Sequence, residues 1–148
     1  MPSRLAKSLL LTSPAECEQA FYEALENADA EAMAELWLDD EDVCCVHPGG
    51  ARLLGYAAVR ASWGAILDNG AVHARSTLKR AVEAAGLALH NVIEEVVVTQ
   101  GRAQRVVQVI ATNAYVKTPA GWKMILHHAS TVPDGEAAEV EVPPGPLH

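Results

Sequence analysis

The sequence predicts an α+β fold: a cone-shaped, curved antiparallel sheet, locally mixed, wrapped around N-terminal helices. The first half of the chain carries apolar residues at helical spacing, such as Ala20, Ala24 and Ala28. From about residue 73 the chain carries three or four long β segments separated by glycine-containing turns. Helices followed by an antiparallel meander favour a sheet with helices on one face. The open end of such a cone would suit a small apolar ligand.

The helical half contains clear start signals. Ser13 can cap a first helix, with Pro14 at its first position and Glu16 three residues after the cap. Asp29 resembles the N-cap of a second, short helix. A third helix is predicted over residues 55–68, where an apolar face ends at an Asn-Gly pair.

The strands are delimited by proline and glycine. A short strand is predicted over 43–46 and ends before Pro48-Gly49-Gly50, because proline cannot donate to a sheet and glycine permits positive φ. Longer strands are predicted over about 87–100, 102–117 and 121–132, with tight turns at 99–102 and 118–121.

Length and composition indicate a single domain. The 148 residues divide into an N-terminal extension (1–12), a domain (13–133) and an acidic, proline-rich tail (134–148) that we expect to be flexible. The net charge of −8 repels phosphate backbones and anionic lipid, so we expect neither nucleic acid nor membrane as a partner. Half of the residues are apolar, yet no stretch approaches the ~20 residues of a membrane span.

Three cysteines do not form a disulfide framework and indicate a reducing, cytoplasmic location. Cys44 and Cys45 are adjacent and would point to opposite faces of a strand. The sequence contains none of the glycine-rich, nucleophile-elbow or CxxC motifs of nucleotide, serine-hydrolase or thioredoxin chemistry. We therefore expect no cofactor.

Three segments resemble the nuclear-transport-factor-2-like superfamily and, within it, the SnoaL-like bacterial proteins. They are AFYEALENADAEAMAELWLDDEDVCCVHPGG, GYAAVRASWGAIL and GWKMILHHAS, and the resemblance spans about residues 14–133. It implies a cone-shaped α+β barrel that is usually a homodimer formed by the outer sheet faces. Such proteins include steroid isomerases, polyketide cyclases, dehydratases, limonene-epoxide hydrolases and non-catalytic binding modules.

The most specific part of the resemblance is the pattern D-D-x-x-V-x-x-x-H-P, which ends at His47-Pro48. Ketosteroid isomerases carry their aspartate base at the end of a similar strand, so the resemblance places His47 where that base stands. Histidine can also serve as a base near neutral pH. The alternative for His47 is a partly buried histidine that bonds a backbone carbonyl at a turn.

His127 and His128 are adjacent on the last strand, so only one of them faces the helices. Strict alternation groups His128 with Trp122, Met124 and the apolar face, which predicts His128 as the pocket residue and His127 as a weaker candidate. Either can instead be a hydrogen-bonded sheet histidine. Two histidines do not complete a zinc site, so no metal is predicted.

Four further candidates complete the predicted site. Trp37 and Trp63 fit a helical core stripe, but a tryptophan at the cone mouth can also stack on a flat ligand. Tyr22 is a weak candidate for a hydroxyl donor, since some isomerase relatives carry one on the first helix. Arg60 lies one turn before Trp63 and would hold a carboxylate ligand, or else lies on the solvated face.

Two functions remain open from the sequence. One is a small-molecule enzyme of the isomerase, dehydratase or cyclase kind, with His47 as base and His128 or Tyr22 as donor to a developing oxyanion. The other is a non-catalytic dimer that binds a small apolar ligand or acts as an interaction scaffold. Both predict a homodimer through the sheet, because the long strands carry apolar residues on both faces.

Overall fold

The computed structural model describes residues 10–133 and residue 136. Most of the predicted N-terminal extension and nearly all of the predicted tail lie outside these residues. In chain order the elements are α1 (Pro14–Glu26), α2 (Ala30–Glu35), β1 (Cys44–Val46), β2 (Arg52–Leu54), α3 (Tyr56–Asp68), β3 (Ala74–Ala84), β4 (Leu87–Gln100), β5 (Ala103–Thr118) and β6 (Gly121–Thr131).

The helices begin where the capping residues indicate. The Ser13 side chain accepts a hydrogen bond from Glu16 N at 3.1 Å, and Pro14 occupies the first turn of α1. Asp29 caps α2 by accepting from Ala32 N at 3.1 Å. These bonds satisfy N–H groups that have no partner within the helix itself.

The strands form one mixed six-stranded sheet in the order β2-β1-β6-β5-β4-β3. The β1–β6 pair is parallel and the other pairs are antiparallel. This arrangement confirms the predicted α+β class. The sequence did not indicate β2, because three residues are too few for a period-two pattern.

The helices cover one face of the sheet and build the main core with it. Phe21 from α1, Val59 and Trp63 from α3, and Tyr115 and Met124 from the sheet are all at most 5% exposed. Within residues 10–133 and 136, no helix is long and apolar enough to cross a membrane.

The last strand contains a bulge that changes which side chains face the helices. Ala114 pairs with Leu126, but the next residue, Tyr115, pairs with Met124, so Ile125 is an extra residue in β6. A bulge reverses the alternation of the residues beyond it. Trp122 and Met124 are buried before the bulge, and the buried residues after it are odd-numbered, beginning with His127.

The prediction that His128 faces the interior is therefore wrong. His127 is 3% exposed and lies on the inner face, whereas His128 is exposed on the outer face. The prediction assumed strict alternation along β6, and the sequence of this segment contains no signal for the extra residue.

Candidate functional site

A cavity of about 280 Å³ lies between the helices and the inner face of the sheet. Most of its wall is apolar, with Phe21 and Leu25 from α1, Trp63 and Ile66 from α3, and valines from β4 and β5. Three titratable side chains interrupt this wall: His47, Glu94 and His127. A mostly apolar cavity with a few converging polar groups is the usual form of a small-molecule site.

His47 lies just after β1 and is half-buried at the cavity wall. Its Nε2 shares a hydrogen bond of 2.7 Å with Ser62 Oγ of α3, and its ring meets Trp63 edge-on with centroids 4.6 Å apart. The partner is thus a side-chain hydroxyl rather than the backbone carbonyl considered from the sequence. Burial lowers the pKa of His47, which favours the neutral, proton-accepting imidazole at neutral pH.

His127 lies deeper in the same wall. Its Nδ1 is 2.6 Å from Asn113 Oδ1, so Nδ1 carries the donated proton. The ring packs against Phe21 and Trp63 at centroid distances of 5.1 and 5.6 Å. Burial, with smaller contributions from His47 and His128, lowers the pKa of His127 to about 3. The imidazole is therefore neutral at physiological pH.

Glu94 of β4 is the site residue that the sequence analysis missed. Its carboxylate is buried, and its Oε2 accepts a hydrogen bond of 2.7 Å from the Tyr22 hydroxyl. Burial raises the pKa of Glu94, partly offset by the bond from Tyr22, and thereby favours the protonated acid. The available signal was a carboxylate on the same strand face as Val92 and Val96, but Glu95 also lies among apolar residues on the other face, so alternation alone does not choose between the two.

Tyr22 reaches the site through Glu94. It does not line the cavity itself, and its hydroxyl is already engaged with the carboxylate. Burial, followed by the negative charge of Glu94, raises the pKa of Tyr22, so the phenol keeps its proton.

A second buried polar pair lies beside this site. His90 Nδ1 of β4 is 2.5 Å from Glu18 Oε2 of α1, and Lys79 Nζ lies 3.6 Å from the same oxygen. His90 is paired across the sheet with Asn113, which is in turn paired with His127. A row of polar side chains therefore crosses an otherwise apolar inner face.

The remaining predicted site residues divide between the cavity and other places. Trp63 lines the cavity and also packs in the main core. Trp37 does not, because α2 ends at Glu35 and Trp37 instead forms a bridge to Met124 and packs in the core. Arg60 is exposed on α3, outside the buried face formed by Val59 and Trp63, so its prediction as a pocket residue is wrong.

A larger depression of about 460 Å³ is lined by residues of α1 and α2, the segment that follows α2 and the β5–β6 turn. It contains neither of the wall histidines nor Glu94, so we place the candidate site in the smaller interior cavity.

The described residues form no metal-binding cluster, and two of the three thiols are buried. Residues 10–133 contain no cluster of three or more His, Cys, Asp or Glu side chains that could hold a metal ion. Burial raises the pKa of both Cys17 and Cys45 to about 12, so these thiols stay protonated and are poor nucleophiles.

The mixed sheet, the helices on its inner face and the cavity between them define an α+β cone of the nuclear-transport-factor-2-like kind. The SnoaL-like domain model matches residues 15–135, and the chain belongs to this family. No protein of curated function matches the sequence.

Two solved structures are related in sequence as well as in fold. A Thiobacillus denitrificans protein, named as a calcium/calmodulin-dependent protein kinase type II association domain, is 32% identical with a TM-score of 0.76, over 84% of this chain and 99% of that chain. A Streptomyces avermitilis protein, named as a dehydratase of the NTF2-like family, is 34% identical with a TM-score of 0.73, over 80% and 92% of the two chains.

A third structure is similar in fold alone. A Parabacteroides distasonis protein, named as a ketosteroid isomerase, is 22% identical with a TM-score of 0.67, over 83% of this chain and 90% of that chain.

Proposed function

We propose that the protein binds a small, largely apolar carbonyl compound in the interior cavity. We further propose that it catalyses a proton transfer in that compound, in an isomerase-, dehydratase- or cyclase-type reaction. The observation that carries this proposal is the meeting of His47, Glu94 and His127 in one apolar wall. Buried ionisable groups are costly, and their concentration in a cavity is typical of a functional site.

His47 would be the base. Its lowered pKa keeps the imidazole neutral, and its bond to Ser62 Oγ fixes the ring beside Trp63. The base would remove a proton from the carbon next to the carbonyl and return it at a second carbon. Glu94, whose pKa is raised, would donate from its second oxygen to the carbonyl oxygen as negative charge develops there. Tyr22 would hold the first oxygen in place.

The test is the conversion of 3-cyclohexen-1-one to its conjugated isomer, followed by ultraviolet absorbance. We expect the wild type to accelerate the conversion and His47→Gln to lose about 100-fold or more in kcat/KM, as is typical for loss of a general base. His128→Gln removes an exposed imidazole from the outer face of the sheet and should retain wild-type activity within about twofold, on the scale of surface substitutions. Equal activity of His47→Gln and wild type would remove His47 from the mechanism.

Binding is tested separately from catalysis. Saturable quenching of tryptophan fluorescence by 2-acetylnaphthalene, an uncharged ketone, should occur in the wild type. Trp63→Phe should remove most of the quenching, because Trp63 alone among the three tryptophans lines the cavity. Quenching that is linear and unaffected by Trp63→Phe would contradict cavity binding.

A dimeric scaffold is the second candidate. Exposed apolar side chains form two patches on the outer face of the sheet: Val82, Leu87 and Leu89 at one end, and Val97 and Val106 at the other. A second copy of the chain would cover them. The relative named as an association domain, 32% identical, supports this alternative.

The three free thiols support a reducing, cytoplasmic location.

A further inference from the structure

We propose that the cavity selects an uncharged ligand carrying a hydroxyl group, and that His127 Nε2 is the acceptor which recognises that hydroxyl. This inference rests on the proposed small-molecule function and names the chemistry that its ligand must have. His127 thereby becomes a specificity-determining residue beside the proposed base, His47.

The polarity of His127 is set by its neighbour. Asn113 Oδ1 can only accept, so the 2.6 Å bond places the ring proton on Nδ1 and leaves a lone pair on Nε2. Among the described residues, Asn113 is the one hydrogen-bond partner of this ring. The ring lies in the cavity wall and packs against Phe21 and Trp63. A ligand O–H aimed at Nε2 would bond an acceptor for which no described residue supplies a partner.

The imidazole cannot change this polarity by taking up a second proton near neutral pH. Its burial penalises the charged form, and the pKa of about 3 keeps Nε2 an acceptor. A ligand with a carbonyl or an ether oxygen at this point would place two acceptors against each other and lose the bond.

The wall also disfavours anions. It contains no lysine or arginine among its described residues, and its other polar side chains include His47, Glu94 and Thr131. A carboxylate ligand would lose its hydration without gaining a cation, and such burial is expensive. The preference should therefore be for hydroxyl over ether, and for neutral over anionic ligands of equal size.

Three naphthalenes of closely similar size separate these effects: 2-naphthol, 2-methoxynaphthalene and 2-naphthoate. Titration of the intact protein at neutral pH should show that 2-naphthol binds about tenfold or more tightly than either of the others, since one unsatisfied buried acceptor costs roughly 1–3 kcal/mol. His127→Phe keeps an aromatic ring in the wall but lacks the acceptor. It should bring 2-naphthol and 2-methoxynaphthalene to within about twofold of each other, because a hydroxyl without a bonding partner gains nothing over the ether.

His128→Phe provides the matched control, because it changes the adjacent exposed residue to the same side chain. It should retain the wild-type preference. If the wild type binds 2-naphthol and 2-methoxynaphthalene equally, the inference about His127 is overturned while cavity binding stands. If neither compound binds and 2-acetylnaphthalene also fails, the proposed small-molecule function is overturned with it.

Nitrogen-15 NMR of the wild type provides a second test, which does not depend on whether a variant folds. The His127 ring should show a protonated Nδ1 and an unprotonated Nε2 in the free protein. Addition of 2-naphthol should shift the Nε2 resonance, and 2-methoxynaphthalene should leave it in place. A free protein in which Nε2 carries the proton would contradict the assignment of His127 as the acceptor.

Discussion

Burial gives the neighbouring residues His127 and His128 different chemistry. His127 is almost inaccessible and donates to Asn113, whereas His128 is exposed to solvent. The pKa of His127 falls from 6.5 to about 3, chiefly because the charged ring would lose its hydration. The unfolded chain takes up a proton at such a histidine at a higher pH than the native protein does. The free energy of unfolding therefore depends on pH.

Acidification should therefore destabilise the protein through His127. Above about pH 6.5 this residue is neutral in both the native and the unfolded chain. Below that pH the unfolded chain binds a proton that native His127 does not bind until about pH 3, so the free energy of unfolding falls as pH falls. Between about pH 7.5 and pH 5.5 the expected loss from this one residue is about 1.4 kcal/mol.

Urea denaturation of three proteins at these two pH values measures the effect. His127→Gln should lose about 1.4 kcal/mol less than the wild type on acidification, because it has no imidazole to protonate. His128→Gln should behave like the wild type. The contributions of His47 and Glu94 are present in all three proteins and cancel in the comparison. An unchanged pH dependence in His127→Gln would show that the native ring is protonated as readily as the unfolded one.

The structure places His47 and Trp63, two of the residues singled out from the sequence, at the cavity wall. The strand followed by proline and two glycines at 48–50 placed His47 at the end of β1, beside the cavity. Glu94 was missed because it lies in Glu94-Glu95, and nothing in that pair says which carboxylate faces inward. Its partner, Tyr22, comes from a helix 72 residues earlier, and contacts of that kind require the fold.

At the scale of elements, two polar pairs attach α1 to β4. Glu18 bonds His90, and Tyr22, one helical turn later, bonds Glu94. The spacing of four residues puts both α1 side chains on one helix face. The two β4 residues also lie on one strand face, because they are separated by an even number. These pairs fix the position of the helix that supplies Phe21 to the cavity wall.

A double-mutant cycle tests the energetic role of the buried pair. His90→Leu leaves the buried Glu18 carboxylate with the Lys79 ammonium 3.6 Å away and without its imidazole partner, and should cost about 3–5 kcal/mol of unfolding free energy. Glu18→Leu with His90→Leu should be less destabilising than His90→Leu alone, because no carboxylate is then left without its partner.

Gln19→Leu, at the adjacent exposed position of α1, should change stability by less than about 0.5 kcal/mol in urea denaturation. Additive losses in the double variant would mean that Glu18 and His90 stabilise the fold independently.

The elements that sequence periodicity predicted best were those with caps and long runs. Ser13 and Asp29 fixed the starts of α1 and α2, and the glycine turns fixed the β4–β5 and β5–β6 hairpins. The bulge at Ile125 was not predictable, because its cause is a mismatch with β5 that appears only when the two strands pair. That one residue reversed the assignment of His127 and His128.

Across the whole protein, the two faces of the sheet differ in how well their apolar side chains are covered. The inner face is covered by helices except at the cavity, and the outer face leaves apolar side chains in solvent. Val82 is 67% exposed and Val106 is 61% exposed, and each is paired across the sheet with another exposed apolar residue, Leu89 and Val97 respectively. Paired exposed apolar residues on long strands are typical of an interface.

We predict that the protein self-associates through this outer face. Leu89→Glu places a charge in one outer patch and should weaken a dimer by about tenfold or more, since an unpaired charge at an interface costs more than 1.4 kcal/mol. Leu54→Glu, on the short edge strand β2, is the matched control: Leu54 is 52% exposed, Leu89 is 44% exposed, and the substitution is the same. Sedimentation velocity should show dimers for the wild type and for Leu54→Glu, and monomers for Leu89→Glu at micromolar concentration. A monomeric wild type would contradict the dimer, and a Leu89→Glu dimer would place the interface elsewhere.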